Sequence, residues 1–176
     1  MSAVLRGRHA ADIDGDFVVF LIGMRVNHPW KLHRWLPVYR AMPRMLDALE
    51  RDPEKGLLGW ERALLGGPAV VQYWRSFAHL DRFARDPGDL HVPAWRAFNR
   101  VERDSGDVGI WHETYQVRAG EYEAIYSGVP RFGLGAAGRL VPIGSKGLTA
   151  ARRIGMREED RVLVPDPAYA GETGLK

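Results

Sequence analysis

The sequence predicts an α+β fold of the ferredoxin-like kind, β-α-β-β-α-β, whose copies close in pairs into a dimeric α/β barrel. Three observations carry that prediction. Runs of strand character alternate with runs of helical spacing in this order. A Gly-Gly pair separates two strand-like runs in the middle of the chain, as in a hairpin. Four strands with helices on one side leave a bare sheet face, which a second copy covers about a two-fold axis.

The elements follow in order. Residues 17–26, FVVFLIGMRV, are β-branched and aromatic with almost no alternation, the pattern of a strand covered on both faces. NHPW then turns the chain, because Pro29 restricts His28 and removes a donor. From Trp35 to Arg51, apolar residues recur at helical spacing (Val38, Met42, Met45, Leu46, Leu49). Pro37 suits a first helical turn, and Pro43 is expected to kink or divide the helix. GLLGWERALLG, 56–66, and PAVVQYWRS, 68–76, read as strands joined at Gly66-Gly67. Ser76 is a fitting N-cap for FAHLDRFAR. DPGDL interrupts, and HVPAWRAFNRVERD resumes a helix with His91, Trp95 and Phe98 close to one face. SGD leads into the last strand, within GDVGIWHETYQV, 106–117.

After it, the Gly-rich and aromatic GEYEAIYSGVPRFGLGAAGRLVPIG is expected to form an ordered loop or arm. GLGAAG resembles a dinucleotide fingerprint only superficially, since no parallel βαβ strand precedes it. Residues 1–143 are therefore assigned to the barrel domain, with an N-terminal lead and the Gly-rich arm. Residues 144–176 carry little apolar periodicity and are expected to be a loosely packed tail.

Composition excludes several classes of function. With 45% hydrophobic and 27% charged residues, the chain buries an ordinary core. A formal charge of +3, dispersed over the chain, gives no footprint for nucleic acid. The absence of cysteine rules out disulfides, thiolate catalysis and Cys-ligated metals. FVVFLIGM is too short to span a bilayer, and Met1–Asp16 has no secretory pattern, so a cytoplasmic location without membrane attachment is expected.

The stretch that crowds a His, a Glu and aromatic residues together is IWHETY. On a strand, Ile110, His112 and Thr114 share one face and Trp111, Glu113 and Tyr115 the other. His112 and Glu113 therefore cannot form a hydrogen-bonded dyad. His112 is the candidate general base, facing the helix-covered side, because imidazole handles protons near neutral pH. Glu113 is expected to face the opposite side and hold the dimer. The plainer readings are a buried neutral imidazole bonded to a carbonyl, and a Glu113–arginine pair. Arg25 and Asn27, sharing a face at the end of the first strand, are candidates for fixing a carbonyl or oxyanion; a salt bridge and a turn-forming Asn are the alternatives. His91 opens a helix one turn before Trp95, where an imidazole on an apolar face can hold haem iron or simply fill a core. His79 reads as structural. Trp74, Trp95, Phe98, Trp111 and Tyr115 are the aromatics expected to line a substrate pocket.

MRVNHPWKLHRWLPV, GLLG, YWRSFAHLDRFA, HVPAWRAFNR and VGIWHETYQVRAGEYEAIYSGVPRFGLG together resemble the monooxygenase-like family of the fumagillin-pathway polyketide oxygenase. The resemblance runs from about Met24 to Gly135, and the WHETY…YEAIY segment is its most specific part. The family is similar to the antibiotic-biosynthesis monooxygenases and belongs with the dimeric α/β-barrel proteins. The resemblance implies oxidation of an activated, polyketide-like small molecule by O2 in a pocket between helices and sheet. It implies that no cofactor is required, because the substrate's own carbanion meets O2. The same superfamily holds haem enzymes (chlorite dismutases, haem-degrading oxygenases, aldoxime dehydratases), several with an axial His on the second helix, where His91 falls. Haem b on His91 is thus the alternative, and a non-catalytic dimer that binds a small ligand is a further one.

Overall fold

The computed structural model describes residues 4–102, 105–147 and 149–155. In chain order these form β1 (Arg8–Asp12), β2 (Phe17–Val26), α1 (Leu32–Arg51), β3 (Leu57–Leu64), β4 (Pro68–Trp74), α2 (Phe77–Arg85), α3 (His91–Glu102), β5 (Val108–Val117), β6 (Ile125–Ser127), α4 (Leu134–Ala137), β7 (Arg139–Pro142), α5 (Ile143–Lys146) and α6 (Ala150–Arg153). They divide into two compact units, one of Asp16–Gln116 and one of the described residues up to Gly15 and from Val117 onward.

The Asp16–Gln116 unit is ferredoxin-like. Its sheet has the order β3-β4-β2-β5, with β2 central and β5 at one edge. β2 runs antiparallel to β4, from Val18 opposite Trp74 to Gly23 opposite Ala69. β3 and β4 form the expected hairpin, from Leu57 opposite Trp74 to Leu64 opposite Pro68, with an irregularity between Leu57 and Gly59. Gly66, at φ +70, takes the left-handed turn that a side chain disfavours, and a Cβ on Gly67 would run into the Met24 carbonyl.

Pro43 does not divide α1. The helix starts at Leu32 and runs unbroken through both prolines, so Pro37 lies beyond its first turn. An interior proline costs about 3 kcal/mol. Burial of Met45, Leu46 and Leu49 returns about 1.5–3 kcal/mol per side chain, enough to keep the helix whole. Ser76 caps α2 as read, its hydroxyl accepting the His79 amide at 3.4 Å. Between helices and sheet sits the core: Val18, Met45, Leu49, Trp74, Leu80 and Phe83.

The second unit is a three-stranded sheet in the order β6-β1-β7. His9 pairs with Tyr126 on one side and with Pro142 on the other. The N-terminal lead and the Gly-rich arm thus meet as strands of one sheet. Ala10, Ala11, Tyr126 and Leu134 are buried there, and the Tyr126 hydroxyl accepts the Gly135 amide at 2.9 Å. GLGAAG forms the single turn α4. Of the expected tail, 144–155 includes α6, whose Arg153 is buried and paired with Glu123 at 2.7 Å. Residues 156–176 lie outside the described residues. No described helix is long and apolar enough to cross a membrane.

Candidate active site

A cavity of about 1150 Å³ lies on the helix-covered face of the four-stranded sheet. Strand alternation builds its floor: Phe20, Ile22 and Met24 from β2, Trp60, Arg62 and Leu64 from β3, and Ile110, His112 and Thr114 from β5. α1 contributes Val38, Met42 and Met45 to the walls, and α3 contributes Ala94, Trp95 and Phe98. The lining is mostly apolar with a few convergent polar groups, the usual make-up of a small-molecule pocket.

His112 lines this cavity near its exposed edge, its ring centroid 5.5 Å from that of Phe20. Register places Phe20 opposite Gln72, and Gln72 opposite Trp60. One row of side chains therefore crosses the whole floor, from Trp60 at one edge to His112 at the other. Glu113 does not line the cavity. Its carboxylate accepts the Tyr115 hydroxyl, and that bond raises the Tyr115 phenol above its ordinary 10.0.

His91 also lines the cavity. Its Nδ1 lies 2.9 Å from the Ala84 carbonyl oxygen. A carbonyl only accepts, so Nδ1 donates this bond and Nε2 is the nitrogen left for another partner. A metal-ligating imidazole is held in this way. Trp95, although 45% exposed, lines the cavity and stacks on Phe98 at 5.5 Å.

Five of the expected site residues lie elsewhere. Trp74 is fully buried, 0% exposed, in the core, with its indole N–H donating to Gln72 at 2.9 Å. Trp111 and Tyr115 project from the other face of β5, because neighbours in sequence alternate between faces. Arg25 is on the corresponding face of β2, exposed and close to the hairpin turn at Gly66. Asn27 is a clamp: its amide N–H donates to the Asp107 carbonyl at 3.0 Å and its side chain to the Gly106 carbonyl at 2.9 Å.

That clamp borders a charged group which the sequence did not disclose. Asp107 is 1% exposed. Its Oδ1 lies 2.7 Å from both His28 Nδ1 and Lys31 Nζ, and Arg34 Nε is 3.8 Å from its Oδ2. Lys31 first, then His28, hold the carboxyl below its ordinary 3.8, against the opposing effect of burial. The cluster ties the turn after β2 to the start of β5, and so fixes the strand that carries His112.

Similar proteins agree with this architecture. The profile of the monooxygenase af470-like family matches residues 17–134. Monooxygenase af470 of Aspergillus fumigatus (strain ATCC MYA-4609 / CBS 101355 / FGSC A1100 / Af293) is 31% identical over 147 residues, 72% of this chain. The chain spans about half, 52%, of that relative's length. A crystal structure of aldoxime dehydratase in complex with butyraldoxime superposes with a TM-score of 0.59 at 16% identity, over 78% of this chain and 42% of that one. A second aldoxime dehydratase structure gives a TM-score of 0.57 at 17% identity, over 78% and 43% of the two chains. At such identities these likenesses speak for the fold alone. The family profile covers most of the chain, including the cavity and the strand that bears His112, and on that ground the protein belongs to the monooxygenase af470-like family.

Proposed function

We propose that this protein is a small-molecule monooxygenase that oxidises an activated, polyketide-like carbon acid with O2 in the cavity between helices and sheet. The observation that carries the reading is His112, a base projecting into a largely apolar cavity of about 1150 Å³. The chemistry needs only substrate, oxygen and this base. His112 takes a proton from the activated CH2, leaving a delocalised carbanion. The carbanion gives an electron to O2, and the resulting pair joins as a C–OOH group after the proton returns. Removal of the remaining C–H proton breaks the O–O bond. CH2 and O2 thereby become C=O and H2O, with no external reductant. The apolar lining holds the substrate's carbon skeleton, and His112, at the cavity's exposed edge, supplies the proton acceptor.

The test is oxygen uptake with an anthrone as substrate, in chelator-treated buffer. Uptake of one O2 per anthrone is expected, and His112→Gln should lower turnover by about 10²–10⁴-fold, the usual share of a general base. Undiminished turnover in His112→Gln would remove the assignment.

A second reading has its own observation. His91, with Nδ1 held by Ala84, would hold a haem iron through its other nitrogen, and the volume and apolar lining of the cavity suit haem. Haem there would supply an iron that activates O2 or the substrate. A Soret band that is lost in His91→Ala would favour this route.

The working form in this proposal is a homodimer, paired through the sheet face that carries Trp111 and the 51% exposed Tyr115. Light scattering should give twice the 19.8 kDa of one chain.

A further inference from the structure

Arg62 is a charged cavity residue that the proposed reaction does not use. It lies on the edge strand β3, two residues beyond Trp60, and both line the cavity floor. Among the described residues no carboxylate pairs with it. Asp81, which also lines the cavity, is taken by Arg85 at 2.7 Å. The guanidinium carbon of Arg62 sits 5.9 Å from the centre of the Trp60 ring, and the Trp60 indole N–H donates to Glu50 at 2.7 Å. A pinned aromatic face thus positions the fork, and the fork's donors remain available to a ligand.

Register places this cation relative to the base. Arg62, Val70 and Ile22 are paired across β3, β4 and β2. The neighbouring row, Trp60–Gln72–Phe20, ends against His112 on β5. Arg62 and His112 therefore stand at opposite edges of a four-stranded floor. Three strand spacings of about 4.8 Å, with a two-residue offset of about 6.8 Å along the strand, put roughly 16 Å between their backbones. A molecule that touches both is about as long as three or four fused rings, or a chain of some ten carbons.

We infer that Arg62 is an anion site for the substrate's carboxylate, which makes the substrate an elongated organic acid whose reacting carbon lies at the His112 end. The inference rests on the proposed reaction for the position of that carbon, while the carboxylate contact stands on Arg62 itself. A guanidinium–carboxylate pair at the edge of an apolar cavity fixes one end of the ligand and sets which carbon reaches the base.

The experiment is binding, read without turnover. The probe is 11-(dansylamino)undecanoic acid, whose fluorescence rises in apolar surroundings, compared with its methyl ester, with dodecanoate and dodecyl phosphate as competitors. The acid should bind about tenfold or more tighter than the ester, as a charge-assisted pair implies. Arg62→Gln should erase that preference, Arg62→Lys should keep part of it, and His112→Gln should leave it intact. Unchanged thermal melting of Arg62→Gln separates loss of the site from loss of the fold. Equal binding of acid and ester, no binding of either, an undiminished preference in Arg62→Gln, or displacement by dodecyl phosphate at far lower concentration than by dodecanoate would each overturn the inference. An intact preference in a protein without oxygenase activity would sink the proposed reaction and leave the carboxylate site standing.

Discussion

The Trp111 indole lies against the bare backbone of Gly23. A Cβ built on Gly23 would stand 2.6 Å from Trp111 Cε2, closer than side chains approach one another. The strand neighbours of Gly23, Ile22 and Met24, face the cavity, so this contact forms on the reverse of the floor. Gly23→Ala must push the indole aside, and a destabilisation of about 1–3 kcal/mol is expected from chemical denaturation. Gly109→Ala is the control, because its Cβ would meet only Arg25 at 3.9 Å, an ordinary contact. It should change stability by no more than about 0.5 kcal/mol.

Trp74 and Trp95 should separate cleanly in solution. Trp74, at 0% exposure, is expected to resist acrylamide quenching, whereas Trp95, at 45%, should be reached easily and protected by a cavity ligand. Trp74→Ala should cost about 3–5 kcal/mol of stability, the range for an aromatic removed from a packed core. Single-tryptophan variants read by fluorescence check both statements.

The Asp107 cluster should make folding sensitive to acid. Its carboxyl titrates lower in the folded chain than in the unfolded one, chiefly through Lys31. A group shifted this way contributes stability that is full above its ordinary 3.8 and is lost as pH falls through the lowered folded value. The melting temperature should therefore drop as pH is taken below about 4. Asp107→Asn should melt lower at neutral pH, and that part of the acid dependence should flatten. An unchanged acid limb in the variant would show that the pH dependence arises elsewhere.

Tyr115 offers a spectroscopic check on the reverse face. The bond to Glu113 keeps its proton on, so its ultraviolet ionisation should fall above 10.0. Glu113→Gln should bring the ionisation down towards that ordinary value. Difference spectra of the two proteins, with Tyr115→Phe to assign the signal, measure it.

Local signals in the chain predicted local structure well, and non-local ones poorly. Gly66-Gly67 marked the hairpin, and Ser76 marked the start of α2, because turn and cap chemistry lies within a few residues. Alternation in IWHETY placed His112 with Ile110 and Thr114, the trio that lines the floor. Trp111 and Tyr115 crowd His112 in sequence, which suggests the pocket, although the same alternation turns them away. The intrinsic cost of Pro43 argues for a divided helix, and the burial of Met45, Leu46 and Leu49 outweighs it. Asp107 had no local mark at all, since His28 and Lys31 precede it by 79 and 76 residues. Arg62 had one in its spacing of two from Trp60, but a strand pattern alone does not tell a solvent face from a cavity face.

The strand order has a consequence in time as well as in space. The β3–β4 hairpin closes over a short loop, so the Arg62 end of the floor can assemble early from neighbouring residues. β5 joins β2 only when segments beginning at Phe17 and Val108 meet, with three helices and a hairpin between them. Loop closure over such a length delays the contact, and pairings of this kind slow folding. The base at His112 is therefore expected to join after the other end of the cavity has formed, an order that pulse-labelled hydrogen exchange would read. A nascent chain released before β5 emerges would present that half-built cavity, apolar and open, to whatever else is in solution.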